Sequence, residues 1–593
     1  MIVNTTLNGE EKKDNMFNTA ERNIQIVLSL LKEHGIKRVI ASPGSTDIAI
    51  VASMQNDPFF EMYSCVDERS ACYMACGMCA EAKEPVVIVC TGATSSRNYM
   101  PGLTEAYYRH LPVLAITCCK SNANVGHYVN QVTDRSSPPS DTVNISEYIQ
   151  TVRTEEDEWD CMIKANRAIL GLRFNGGGPC HINLQTVYTR DFSVKEIKKP
   201  RVIKRYTTED VLPPIPQGKI GIFVGSFPKW DERLTECVDR FCEKYDAVVF
   251  YDQTSNYKGK YGVLFPLLAA QCNNPQNGSD IDLMIHIGYV SACTCTGKKI
   301  WRINADGQIR DTFRRATAIF QMSEQYFFEQ YCEGETGETV SPQLYKQYQE
   351  LYKNLVSKIP ELPFSNIWVA QTLSSHLPEN SVAHFGILNS LRSWNNFEIP
   401  LSVDGYSNTG GFGIDGGVSS MLGASMLNRN KLYFGFFGDL LFYYDMNSLG
   451  NRHIESNVRI LVVNNGLGQE FRNRSSFASI LGEEANDFVA AKGHFRDRKM
   501  PVIKNFAESL GFEYLSASSK ESFEEAYHRF VTPEITDKPM LFEVFTETED
   551  ESEALDMMML LNGKAPRKNN MRQSLKVIIP SRIRRTIKEK LFS

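Results

Sequence analysis

A chain of 593 residues exceeds what one hydrophobic core organises, and at roughly 100–200 residues per domain it implies three or four units. With 42% hydrophobic and 23% charged residues its composition is that of globular protein, which excludes a chain disordered throughout. The net charge of −6 divides unevenly: residues 564–593 carry ten Lys or Arg against Glu589 alone, so the tail is +9 and the rest −15, an acidic body without a nucleic-acid footprint.

Neither a run of about 18 apolar residues nor an apolar signal core after the initial MIVNTTLNGEEKKDN is present, so a cytoplasmic protein without a membrane span is expected. Its fifteen cysteines then read as free thiols. Residues 18–190 alternate helix and strand signals: an amphipathic run near 19–34, a strand in Lys37-Arg-Val-Ile-Ala-Ser, a helix near 69–82 and a strand in Pro85-Val-Val-Ile-Val-Cys. Apolar runs that do not alternate with polar residues read as strands buried on both faces of a parallel sheet. The Pro- and charge-bearing stretch 191–217 reads as a linker, and Lys219-Ile-Gly-Ile-Phe-Val-Gly opens a second α/β domain over 218–333. A connection over 333–363 leads to a third domain, 364–550, with strands at 432–437, 458–463 and 539–545. The expected fold class is α/β, with three Rossmann-like parallel-sheet domains, the first and third of the same kind, and a basic tail over 564–593.

The sharpest chemical signal is Gly438-Asp439-Leu440 at the end of an apolar strand, followed 26 residues after the aspartate by Asn465 in Val462-Val-Asn-Asn-Gly-Leu-Gly. Ligands of an open parallel sheet sit at the carboxyl ends of its strands. A carboxylate, a side-chain amide and a loop carbonyl there are hard oxygen donors suited to Mg²⁺ bridging phosphate oxygens. Glycines admit the phosphates, and a helix after Asp439 adds its N-terminal dipole. Strand-ending Gly-Asp turns are also common in proteins that bind nothing there.

These residues resemble the cofactor motif of thiamine-diphosphate enzymes. The resemblance implies metal ligation by Asp439, Asn465 and the Leu467 carbonyl, with thiamine diphosphate and Mg²⁺ as cofactors. A second match lies in the first domain: Ala41-Ser-Pro-Gly-Ser, Val66-Asp-Glu-Arg-Ser-Ala, Thr91-Gly-Ala-Thr and Asn98-Tyr-Met-Pro look like a pyrimidine-binding domain, which makes Glu68 the activating acid. The first domain would then bind the pyrimidine, the third the diphosphate, and the middle one would act as a spacer. Pro43, Gly92, Asn389, Ser390, Ile414, Gly438 and Leu440 are the further cofactor contacts implied, Ile414 as the wedge beneath the two rings. Within the superfamily the chain resembles the SEPHCHC synthases of menaquinone biosynthesis over roughly residues 20–550, echoed also in Tyr406-Ser-Asn-Thr-Gly-Gly-Phe-Gly-Ile-Asp-Gly and Gly468-Gln469-Glu-Phe471.

The resemblance implies decarboxylation of a 2-oxo acid followed by carbon–carbon bond formation with a small acceptor. It also implies a homodimer or homotetramer, in which Glu68 and Asp439 meet across a subunit interface. Three departures stand out. Thr46 and Asp47 follow the Ser-Pro-Gly-Ser turn where that family has an Arg, Thr409 stands where it has another, and a third is displaced to Arg392, with Trp394 in its place. Because Arg grips carboxylates bidentately, these changes argue against dicarboxylates bound in the family's way. Ser45, Lys120, His127, Gln131, Arg135 and Phe471 are the candidate substrate contacts, with Arg97 beside them as a loop cation. A decarboxylase or carboligase of surface-polysaccharide or sugar metabolism, and a non-catalytic cofactor-binding protein, remain alternatives.

Cys72, Cys76 and Cys79 have iron–sulfur spacing but fall in a helical run of small residues, where Cys acts as a small hydrophobe. Gly221-Ile-Phe-Val-Gly225 is an incomplete dinucleotide fingerprint. In the tail, Ile583, Ile587 and Leu591 share a helical face among Lys and Arg. That pattern suits an interfacial helix contacting the inner membrane face, a basic tail free in solution, or one docked on the acidic body.

Overall fold

The computed structural model describes residues 17–227, 230–273, 276–333, 342–473, 476–494, 498 and 500–563. The basic tail and its three readings lie outside the described residues. The chain divides into two compact units, Met1–Glu209 with Gly307–Ile319 and Asp210–Asp306 with Phe320–Ser593.

The first unit is built on a six-stranded sheet of β1 (Arg38–Ala41), β2 (Glu61–Ser64), β3 (Val86–Thr91), β4 (Val113–Cys119), β5 (Ile145–Ile149) and β6 (Cys180–Gln185), in the order β2-β1-β3-β4-β6-β5. Every pairing in it is parallel. β3, β4 and β6 are buried at every residue, as the unbroken apolar runs require of central strands covered by helices on both faces. The helices Arg22–Glu33 and Glu155–Gly171 cover one face, where Ile26, Val27, Leu30, Cys161, Ala165 and Ile169 pack against β3, β4 and β6. On the other face the helices Glu68–Ala82 and Met100–Tyr108 bury Cys72, Cys76, Cys79 and Leu103. The three thiols thus lie inside a helix, and Cys76 Sγ donates to Gly102 O at 3.4 Å. The stretch expected as a linker contains a short strand, β7 (Lys204–Thr207), which is partly exposed along its length. Its charged residues suit a sheet edge, which is why they read as loop.

The second unit holds β8 (Ile220–Val224), β9 (Ala247–Tyr251), β10 (Gly262–Leu264), β11 (Leu283–Ile287) and β12 (Lys299–Ile303), which pair in parallel as β10-β9-β8-β11-β12. At the switch point between β8 and β11, backbone bonds close the crevice: Gly225 N donates to Ile287 O at 2.9 Å and Tyr289 N to Ser226 O at 2.8 Å. The strand β13 (Ala316–Gln321) lies where the chain passes from the first unit back to the second. The expected connection over 333–363 includes a helix, Gln343–Val356, whose Leu344, Tyr348, Tyr352 and Leu355 are buried.

A third sheet follows, from β14 (Val382–Phe385), β15 (Asp404–Tyr406), β16 (Tyr433–Gly438), β17 (Val458–Asn464), β18 (Glu513–Ala517) and β19 (Met540–Phe545). Its order, β15-β14-β16-β17-β19-β18, repeats the first sheet strand for strand, again with every pairing parallel. In both sheets the chain reverses direction between the first and third strands, so each has its ligand crevice at the carboxyl ends of that pair. All fifteen cysteines are free, and among the described residues no helix is long and apolar enough to cross a membrane.

Candidate cofactor and substrate site

In the first unit the crevice is formed by the turn Ser42–Asp47 after β1 and by Thr91-Gly92 after β3. The two turns touch: a Cβ on Gly44 would lie 1.9 Å from Thr91 Oγ1, so only glycine lets them close. Pro43 and Gly92 belong to these facing turns. Thr46 anchors its turn through Oγ1 to Cys118 O at 2.6 Å. Asp47 is 2% exposed and its Oδ2 has no hydrogen-bond partner among the described residues. Burial pushes its carboxyl up to about 6.

Glu68 is the first residue of the helix Glu68–Ala82, capped by Asp67, and stands half-buried just beyond β2. Asn98 Nδ2 donates to Glu68 Oε2 at 2.9 Å, which fixes the carboxylate and leaves Oε1 to act. Asn98 stood in the resemblance motif, but no role had been expected of it.

The candidate substrate residues separate into two groups. Ser45 Oγ and Gln131 Oε1 lie 3.4 Å apart, and Gln131 takes a left-handed φ of 59°. Lys120, at the end of β4, donates to Asn130 O at 3.1 Å and Asn130 Oδ1 at 2.8 Å, while His127 is exposed. Arg97 donates to Asp134 O at 2.6 Å. Arg135 behaves differently: it is 5% exposed, and its guanidinium donates to Asn183 Oδ1 at 3.1 Å, Thr133 O at 2.8 Å, Thr133 Oγ1 at 2.9 Å and Gly92 O. Those acceptors commit Arg135 to holding the Gly92 turn.

In the second unit, β14 and β16 end in Gly386-Ile387-Leu388-Asn389-Ser390 and Gly438-Asp439. Asp439 is 3% exposed and is the first residue of a short helix, Asp439–Asp445. Its carboxylate accepts from Gly466 N at 2.6 Å and Leu440 N at 2.8 Å, bringing the β16 and β17 ends together as the spacing predicts. Gly466, at φ +78°, makes that turn. Burial pushes the Asp439 carboxyl up to about 7, and the buried Glu543 adds to the shift. Asn465 Oδ1 faces Leu467 N at 3.4 Å, while its neighbour Asn464 donates to Glu543 Oε1 at 2.7 Å.

A small cavity lies at this crevice, lined by His384, Gly386, Ser407, Asn408, Gly413 and Leu441 among others. His384 Nε2 and Ser407 Oγ are buried there without a partner among the described residues, and burial lowers His384 to about 4, so its ring is neutral. Ile414 packs at the edge of the core cluster that also holds Leu441. Leu388 adopts φ 70° and ψ −111°, a strained conformation immediately before Asn389.

The departures at the arginine positions have structural counterparts. Thr409 is buried and donates to Ser226 Oγ at 3.2 Å. Arg392 forms a two-bond ion pair with Glu470, at 2.6 and 3.1 Å, and Trp394 is fully buried against Phe436. Phe471, next to Glu470, is 37% exposed.

This half-site fits a diphosphate–metal group. A buried carboxylate supported only by backbone N–H groups, with a second buried carboxylate nearby, calls for a cation. No three His, Cys, Asp or Glu side chains gather as a metal cluster among the described residues. The resemblance assigns the metal to Asp439, the Asn465 amide and the Leu467 carbonyl, which would hold it together with oxygens of the ligand, as suits Mg²⁺.

Parts of the chain match known thiamine pyrophosphate enzymes. Residues 23–137 match the family model described as the thiamine pyrophosphate enzyme N-terminal TPP binding domain. The chain is 28% identical over 569 residues to the 2-succinyl-5-enolpyruvyl-6-hydroxy-3-cyclohexene-1-carboxylate synthase of Phocaeicola vulgatus, covering 90% of this chain and 97% of that protein. The synthases of the same name from Bacteroides fragilis and Christiangramia forsetii are 28% and 25% identical, covering 90% and 89% of this chain and 98% and 96% of theirs. A solved thiamine diphosphate-dependent 4-hydroxybenzoylformate decarboxylase of Rhodococcus jostii RHA1 aligns with a TM-score of 0.38 and 15% identity, over 88% of this chain and 99% of that one. The matched TPP-binding domain and the relatives aligned along nine-tenths of the chain mark a thiamine-diphosphate-dependent enzyme similar to these synthases.

Proposed function

We propose that the chain decarboxylates a 2-oxo acid and joins the remaining fragment to a small acceptor, as a Mg²⁺-dependent homodimer or homotetramer. The observation that carries this reading is the presence of both a fixed acid, Glu68, just beyond β2 of the first sheet, and a buried oxygen-donor site at Asp439, at the carboxyl end of β16 in the third. When bound, thiamine diphosphate supplies the electron sink for losing carbon dioxide and forming a carbon–carbon bond. Glu68, with Oε2 held by Asn98, would be the acid–base group facing the aminopyrimidine ring, with Oε1 left to hold or give a proton. Asp439, Asn465 and the Leu467 carbonyl would hold the metal, and Pro43, Gly92, Asn389, Ser390, Gly438 and Leu440 would be the further cofactor contacts. Ile414 would be the apolar support beneath the cofactor. Ser45 and Gln131 form one polar substrate contact, and Phe471 one apolar contact.

The relatives' reaction yields a product whose name carries a succinyl group, which a 2-oxo dicarboxylic acid would supply on loss of carbon dioxide. Menaquinone-pathway chemistry of that kind is the first reading. A second, on another 2-oxo acid, is favoured by Thr46, Thr409 and the Arg392–Glu470 pair, which leave these three positions without an uncommitted guanidinium for a carboxylate. Carbon dioxide release across mono- and dicarboxylic 2-oxo acids separates the two. Turnover of dicarboxylic acids supports the first reading, and turnover of monocarboxylic acids alone supports the second. No release from any acid by cofactor-loaded protein removes the decarboxylase reading.

A further inference from the structure

We infer that Glu551 is a positioning residue that sets the Asn389–Ser390 segment for the cofactor diphosphate; the inference rests on the thiamine-diphosphate reading. Glu551 is in the helix Thr548–Met559 and is 3% exposed. Its Oε1 accepts from Asn366 N at 2.9 Å and Thr546 Oγ1 at 2.7 Å, and the Asn389 side chain is near enough to favour its charged form. Asn366 in turn donates from Nδ2 to Ser390 Oγ at 3.3 Å. One buried carboxylate therefore holds Asn366, and through it the Ser390 hydroxyl, with the Asn389 side chain beside it. Because Ser390 Oγ accepts from Asn366, its own proton is left to donate elsewhere.

The same group reaches the other anchoring loop. Thr546 N donates to Asn464 O at 3.2 Å, next to Asn465, and Gln469 Nε2 donates to Ser552 Oγ at 3.0 Å on the Glu551 helix. Helix capping alone does not account for Glu551. The helix Asn366–Leu373 already has Ser365 as its cap, with Ser365 Oγ accepting from Trp368 N at 3.3 Å. A carboxylate is also the one side-chain group that accepts several donors while offering none, as this junction of an N–H and a hydroxyl beside an amide requires.

The test is calorimetric titration of thiamine diphosphate with Mg²⁺ into the full chain, as wild type, Glu551→Gln, Asn389→Ala and the double variant, with thermal unfolding of the same proteins free of cofactor. Glu551→Gln replaces one of the two acceptor oxygens by an NH₂ donor at nearly constant shape. It is expected to weaken cofactor binding about ten-fold, with little change in the cofactor-free melting temperature, and Asn389→Ala is expected to add little more. Wild-type affinity in Glu551→Gln, or fully additive effects of the two substitutions, overturns the inference while leaving the cofactor reading intact. Absence of binding by wild type overturns that reading and this inference with it.

Discussion

Replacing Asp47 by Asn should stabilise the protein at pH 8 and do little at pH 4.5. Asp47 is 2% exposed, with Oδ2 unpartnered among the described residues, and burial raises its carboxyl from 3.8 to about 6. The raised value means that the folded state holds the proton more tightly than the unfolded chain. The cost of ionisation is therefore absent below about pH 4, grows as pH rises through 4 to 6, and is complete above about 6. About two pH units correspond to roughly 2–3 kcal/mol in favour of the neutral amide at pH 8. An opposing effect is the loss of a negative charge before the helix Ile48–Asn56, worth about 0.3–1 kcal/mol, and the Asp47 side chain makes no capping bond there. Desolvation wins. Thermal unfolding of both proteins at the two pH values is the assay. A melting temperature of Asp47→Asn below wild type at pH 8, or a difference independent of pH, would refute the reasoning.

Two further outcomes follow from strain and charge. Leu388→Gly should be more stable than Leu388→Ala by about 1 kcal/mol in denaturant titration, because glycine alone accepts φ 70° freely, whereas alanine loses the side chain and keeps the strain. Glu470→Gln should lower KM for dicarboxylic relative to monocarboxylic 2-oxo acids, since it releases the Arg392 guanidinium from its ion pair; steady-state kinetics with an unchanged ratio would count against a substrate-facing Arg392.

The sheets were legible because central parallel strands leave a plain mark: the runs at 85–90 and 458–463 appear as Val86–Thr91 and Val458–Asn464, buried throughout. Gly438-Asp439 and Asn465 were legible for the same reason, as strand ends that topology brings together. The helix Gln343–Val356 carried its signal in Leu344, Tyr348, Tyr352 and Leu355, whose helical spacing was hidden among charged and polar residues. Arg135 had no local signal. Its acceptors Gly92 and Asn183 are more than forty positions away in sequence, so a loop cation and a buried brace look alike. Glu551 and Asn366, 185 residues apart, meet only in the fold, and the Arg392–Glu470 pair likewise spans 78.

The most direct test of the cofactor assignment is titration of thiamine diphosphate and Mg²⁺ into wild type, Asp439→Ala and Glu68→Gln, followed by assay of each for carbon dioxide release. Binding by wild type and Glu68→Gln, its loss in Asp439→Ala, and turnover confined to wild type are the expected results. Undiminished binding by Asp439→Ala, or full turnover by Glu68→Gln, would contradict the roles given to these two carboxylates.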